Sequence, residues 1–399
     1  MTPEPRFLLD PEVVQNPYPF YDAVRRTSPV WQVGESNIYL VTAFDALAEA
    51  ARRTADFSSE MRKLIYRDPN GLPVSLPVDL GPPTLAIADP PVHTLHKQLV
   101  FPKFVSKRMS LLEQEMTRYT DECLDRCEGL GSFDFMEEVA DAVPIHAISM
   151  LIGLDHFRKS LLIETIKDTW PLTSGTHTLE QLKAARIRTD EIFVWFGEQL
   201  NARDGEASED MLDAIKGAIK SGDLSLGEAL STLITLLSAG GESTGSLLGN
   251  AVGMLAEQPQ LVQALRDEPG LLPAFIEEAG RLESPFRYHL RSATCDTELS
   301  GVCIPEGSTV LLMWGAANRD PNKFAEPNAL NLERRQQHVT FGRGIHLCIG
   351  AALARMEARI ILSAMLRRRT FPSLSSAVSV EWQYNLMIRR YRRLPLQFG

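Results

Sequence analysis

The segment from Ser225 to Glu257 limits what this chain can fold into. Its apolar positions include Leu230, Leu233, Leu236, Leu237, Leu247, Leu248, Val252 and Leu255, which fall on nearly every side of a helix. A helix with no solvent face has to be a buried centre with the rest of the chain wrapped around it. The same segment holds residues that a buried helix disfavours. Gly240 and Gly241 each cost roughly 1 kcal/mol in a helix interior. Glu242, Ser243 and Thr244 follow them and place polar groups in apolar surroundings. On residue chemistry alone this marks a helix kink whose polar groups find partners.

With 399 residues the chain exceeds the usual single core of ~250–300 residues. It is either two domains or one large, mainly helical domain built in layers. No internal repeat, low-complexity tract or Gly/Ser linker divides it, so it reads as one continuous fold over 1–399. A net charge of −10 argues against general nucleic-acid binding. The start, MTPEPRFLLDPEVVQNPYP, lacks a basic region followed by an apolar run, and no stretch of ~18 apolar residues free of charge occurs, so neither a signal peptide nor a membrane span is expected. The five cysteines are odd in number and scattered, which suits a reduced cytoplasmic protein.

Helical patterning is expected at 17–30, 44–53, from His93 to about Cys127, and at 137–154, 157–168, 179–203, 208–220 and 271–283. A last helix runs from after Cys348 to about Arg369. Strand-like alternation occupies 31–42 and 290–313, with turns near Gly34–Asn37 and at Pro305-Glu306-Gly307. Residues 68–91, rich in proline and glycine, read as one long irregular segment.

The stretch FGRGIHLCIG, Phe341 to Gly350, places a cysteine in a permissive loop ahead of a helix. Gly342 and Gly344 supply backbone freedom. Ile349, Leu353, Met356 and Ile360 then share one helix face. A cysteine at a helix N-terminus feels exposed N–H groups and the positive dipole end, which favour thiolate for a metal ligand or nucleophile. A buried structural cysteine is the competing reading. Zinc is weaker, because His346 and Cys348 make half a ligand set. The glycines also fail the G-x-G-x-x-G pattern, because Leu347 stands at the last position.

This stretch resembles the haem-binding loop of the cytochrome P450 superfamily, F-x-x-G-x-x-x-C-x-G. The resemblance implies a mainly α fold with small β-sheets (α+β), with haem b between the long central helix and the cysteine-loop helix. It makes Cys348 the axial iron ligand, places Phe341, Gly342 and Gly350 beside it, and sets His346 at a haem propionate. Glu278-Ala279-Gly280-Arg281 fits E-x-x-R, an i, i+3 pair that in this family is buried and structural. Leu237 to Thr244 is similar to A-G-x-[DE]-T-[ST]. There Ala239 and Gly240 open a groove for dioxygen, Glu242 is the acid and Ser243 the alcohol of proton delivery, with Thr244 beside them. Ser243 departs from the usual threonine and lacks the methyl that restricts χ1. Asp89-Pro90-Pro91-Val92-His93-Thr94 resembles the start of a propionate-binding helix, with His93 carried over and Lys97 where arginine is common. Arg291 matches a further propionate ligand, and Ala317 to Pro321 with Phe324-x-x-Pro327 also fit. The likeness spans nearly the whole chain.

The function so implied is monooxygenation. One atom of O2 enters a small to medium hydrophobic substrate and the other leaves as water. Electrons would come from NAD(P)H through a reductase and a ferredoxin or flavodoxin, docked on Lys97, Lys103, Arg108, Arg343 and Arg355. Substrate-facing candidates are the 72–88 loop, Trp170–His177, Ser238, Ala239, Phe286, Tyr288, Met387 and Ile388. The resemblance further implies a cytoplasmic monomer. Three alternatives stay open at this point: a peroxygenase driven by hydrogen peroxide, a haem-thiolate sensor or carrier, and a thiol or zinc protein without haem.

Overall fold

The computed structural model describes residues 2–79, 81–104, 108–154, 163, 174–202 and 210–398. The helix expected at 157–168 and the substrate candidates at 170–173 lie outside the described residues, apart from Ile163. Six helices position the site: α1 (Val92–Phe104), α2 (Arg108–Leu130), α3 (Ala142–Ile152), α4 (Leu226–Glu257), α5 (Leu272–Leu282) and α6 (Ala351–Arg367).

Helix α4 is the buried centre. Ser225 accepts a hydrogen bond from Glu228 N at 3.2 Å and Glu228 Oε2 accepts one from Ser225 N at 2.8 Å, a capping box that fixes where the helix starts. It then continues unbroken through Gly240-Gly241. The glycines serve packing. A Cβ on Gly240 would stand 2.8 Å from Ile148 Cγ1 of α3, and one on Gly245 would stand 2.7 Å from the Ala140 carbonyl. Missing side chains thus let α3 and the turn before it approach the α4 backbone. Around α4 the apolar residues of α2, α3, α5 and α6 close one large core.

The main sheet has β1 (Val30–Gln32), β2 (Ile38–Val41), β3 (Phe57–Ser58), β4 (His289–Ala293) and β5 (Thr309–Leu312), in the order β1-β2-β5-β4-β3. β5 runs parallel to β2 and antiparallel to β4, with Leu312 opposite His289 and Val310 opposite Arg291. Successive strand residues point to opposite faces, so His289 and Arg291 share one.

One difference from the sequence reading stands out. The segment 68–91 is not wholly irregular, since Pro73–Pro77 pairs antiparallel with Lys63–Arg67. Its prolines sit at the two strand ends, where the lost N–H is tolerated, and they hid the pattern. The Glu278–Arg281 pair lies inside the protein. Arg281 is fully buried, grips both Glu278 oxygens at 2.7 and 2.9 Å, and donates to the carbonyls of Asn318, Pro327 and Ala329. Arg334 and the Asn331 N–H complete the carboxylate's partners. One buried fork therefore pins the 318–334 meander to α5.

Candidate active site

One cavity opens between α4 and the cysteine loop, lined among others by Ala239, Gly240, Ser243, Thr244, Phe341 and Cys348. Gly342 and Gly344 take left-handed φ of 75° and 74°. A Cβ on Gly344 would lie 2.6 Å from the Ala51 carbonyl, so this glycine is required by space as well as by conformation. The Cys348 N–H donates to Phe341 O at 2.9 Å and closes the loop. Phe341 lies under the Arg355 guanidinium, 4.2 Å from ring centroid to Cζ.

Cys348 stands just ahead of α6, and its sulfur accepts from the Gly350 and Ala351 amides. The expected thiolate bias is nevertheless outweighed. The side chain faces the cavity but sits deep in the protein, and burial raises the thiol pKa above its ordinary value despite those amides and Arg355. A bound cation reverses this balance, because a metal takes the place of the proton on sulfur. Among the described residues no group of three or more His, Cys, Asp and Glu can hold a metal ion, so zinc has no ligand set here.

At one end of the cavity basic side chains converge. His93, Lys97, His289, Arg291 and His346 all line it. The His93 and His346 rings lie 4.4 Å apart. His346 Nε2 meets Ser59 Oγ at 2.8 Å, while its Nδ1 is buried with no partner. Lys97 donates to Ile345 O at 2.8 Å, and Arg291 to Leu290 O at 2.7 Å. Burial, then the neighbouring cations, push His346 down to about 3, and burial lowers Arg291 to about 10. Asp89, the acid whose charge acts on Arg291, is engaged by Ser58 Oγ and Ser59 N. A buried basic cluster with an orphaned ring nitrogen is a receptor for carboxylates. With a sulfur ligand at the other wall, these residues fit haem: Cys348 for iron, and Arg291, His346, His93 and Lys97 for the two propionates.

On α4, Ser243 donates to Ala239 O at 2.6 Å, and both residues line the cavity. Glu242 does not line it. One residue along a helix turns the side chain by about 100°, and Glu242 faces inward toward Asp141 and Arg390, which form a bidentate pair at 2.8 and 3.0 Å. Glu242 Oε1 has no partner, and burial pushes its carboxyl up to about 8. Thr244 lines the cavity and hydrogen-bonds Glu357 of α6. Glu357 was not singled out from sequence. It is 1% exposed, and burial raises its pKa well above the carboxylate range.

The substrate candidates divide. Phe286 and Ala239 line the cavity, and Leu85 and Ala86 do so from the 72–88 loop. Tyr288, Met387 and Ile388 instead pack with Leu386 in a separate core. Ser238 is also off the lining. Ile148, Thr235 and Leu236 line it and were missed. Of the proposed docking cations, Lys97 points inward and Arg355 is paired with Glu277 at 2.6 Å. The side chains of Lys103 and Arg108 lie outside the described residues.

The family model for cytochrome P450 matches residues 131–378. The chain is 37% identical over 394 residues to cytochrome P450 144 of Mycobacterium tuberculosis, covering 96% of this chain and 89% of that protein. It is 31% identical to 6-deoxyerythronolide B hydroxylase of Saccharopolyspora erythraea, covering 95% of each. Among solved structures, CYP109E1 from Bacillus megaterium in complex with testosterone superposes with a TM-score of 0.87 at 26% identity, covering 97% of this chain and 99% of that one.

Proposed function

The chain belongs to the cytochrome P450 family of monooxygenases, and on that premise we propose that it oxygenates a small to medium hydrophobic molecule, with haem b held by Cys348 and electrons delivered from NAD(P)H through a ferredoxin or flavodoxin. The observation that carries this is the meeting of three chemistries at one cavity: a sulfur ligand, a buried basic cluster and a hydroxyl pair on α4. Bound haem supplies the dioxygen chemistry, and a thiolate ligand pushes electron density that favours O–O cleavage.

The chain's own residues do the rest. Leu85, Ala86, Ile148, Leu236 and Phe286 give an apolar wall, and Thr235 adds a hydroxyl to it. This suits a terpenoid, a fatty acyl chain or an aromatic compound, where a few polar groups orient an otherwise apolar ligand. The similar protein named 6-deoxyerythronolide B hydroxylase and the neighbouring structure in complex with testosterone support that range. In this reading Ser243 hands on a proton, which is supported by a hydroxyl that is held by Ala239 O and still faces the cavity. Glu242 keeps a proton to about pH 8 one residue away, as the reservoir behind it. We take residues 1–399 as a single catalytic domain acting as a cytoplasmic monomer. Among the described residues no helix is long and apolar enough to cross a membrane.

The test is turnover of the purified haem protein with NAD(P)H, a surrogate reductase and ferredoxin, and isotopically labelled dioxygen. Product carrying one labelled atom is expected. Turnover with hydrogen peroxide but none with the reductant chain would assign a peroxygenase instead, and haem binding without turnover a carrier. In the same assay Ser243→Ala should lower product per NAD(P)H about tenfold or more, while Ser243→Thr keeps it. Equal yields in Ser243→Ala and the parent would remove Ser243 from proton delivery.

A further inference from the structure

We propose that His289 is a fixed hydrogen-bond donor to a haem propionate, and that Trp314 sets the tautomer that makes it one. This rests on the haem reading above and adds a member to the carboxylate-binding end of the cavity. Arg291 stands two residues further along β4, so both side chains leave the strand on the same face. Both line the cavity, as does His346.

Register brings the tryptophan to the histidine. Leu312 at the end of β5 lies opposite His289, and Trp314 follows two residues later. The Trp314 Nε1–H reaches His289 Nδ1 at 2.6 Å. An indole N–H only donates, so Nδ1 must accept and carries no proton. The proton of the neutral ring is therefore on Nε2, which makes no hydrogen bond among the described residues. Burial and the Arg291 charge keep the ring neutral, lowering its pKa to about 3. The ring is packed by Phe286, 4.8 Å away between centroids, and by Trp314 at 6.0 Å, which hold its plane. What remains is an oriented N–H donor in a basic cluster, matched to an anionic oxygen. A carboxylate seated by Arg291 and His346 is the acceptor this arrangement fits.

Three variants separate donor from packing. His289→Gln places an amide N–H near the Nε2 position, His289→Asn places one nearer Nδ1, and Trp314→Phe removes only the tautomer-setting donor. Each is purified with haem and checked for the carbon monoxide band of thiolate-ligated haem. The rate of haem transfer to excess apomyoglobin and the propionate bending band in resonance Raman are then measured. Losing one hydrogen bond to a charged group should speed haem release about ten- to a hundredfold in His289→Asn. His289→Gln should stay near the parent, and Trp314→Phe should fall between them, with the propionate band moved in Asn and Phe. Unchanged release and an unmoved band in all three overturn the assignment and leave the family reading standing. Equal loss in Gln and Asn reduces His289 to packing and overturns it too. Unchanged haem release with weaker binding of a fatty acid, read by the spin-state shift, would move the carboxylate from cofactor to substrate and equally overturn it. Loss of the carbon monoxide band from the unmodified protein would overturn both readings.

Discussion

Arg281→Ala is expected to lower stability by about 3–5 kcal/mol, the cost of leaving one partner of a buried ion pair uncompensated. A typical domain has a net stability of only ~5–15 kcal/mol. The variant strands Glu278 with Arg334 alone as its cation and also leaves the Asn318, Pro327 and Ala329 carbonyls without this donor. Those carbonyls belong to the meander that leads into the cysteine loop, so haem retention should fall along with the unfolding midpoint. Arg281→Lys keeps the charge and loses the planar fork that reaches all four partners, so it should recover only part of the loss. Urea unfolding of the three proteins decides this. A loss under about 1 kcal/mol in the alanine variant would mean that the pair contributes no more than a surface one.

Glu242→Gln should change two things at once. The first is stability against pH. Burial raises the folded-state pKa of Glu242 to about 8 from an ordinary value of 4.5. Between those values the unfolded chain has released this proton and the folded chain still holds it. Fewer protons on the unfolded state mean that this group's contribution to stability falls as pH rises through the window and levels off above it. Glutamine removes that slope, so the variant should gain on the parent from about pH 4.5 upward, by on the order of a few kcal/mol at the plateau. Taking the difference between the two proteins cancels the opposite slope of Glu277, which its Arg355 and His338 partners hold near 2 despite burial. The second change is functional. Glutamine has no proton to release, so product per NAD(P)H should drop while haem binding is kept. A flat difference in stability across pH would mean that Glu242 is not held protonated. Unchanged yield would remove it from proton delivery.

The cysteine loop was legible because its demands fall residue by residue: glycines at left-handed φ, a cysteine before a helix, a phenylalanine closing the turn. Helix α4 was legible because a segment apolar on nearly every side has one place to go. What escaped was mostly set by packing between distant elements. His289 meets Trp314 through strand register, and the one sequence signal was its i, i+2 spacing from Arg291. Tyr288 was assigned to the cavity although strand alternation from Arg291 puts it on the opposite face, where it is buried. The inward aim of Glu242 was predictable from the turn per residue once Ser243 was set toward the cavity. Glu357 was hidden because a lone glutamate in a helix rich in arginine reads as a solvated charge. Its burial exists only once α6 lies against α4 and Thr244 reaches it.

The most direct test of the central claim is the carbon monoxide difference spectrum of the dithionite-reduced protein and of its Cys348→Ala variant. The account predicts the strongly red-shifted Soret band of thiolate-ligated haem in the parent and its loss in the variant, with the folded helical content unchanged. A folded, haem-loaded parent without that band, or a variant that keeps it, would contradict the assignment of Cys348 to iron and the monooxygenase chemistry built on it.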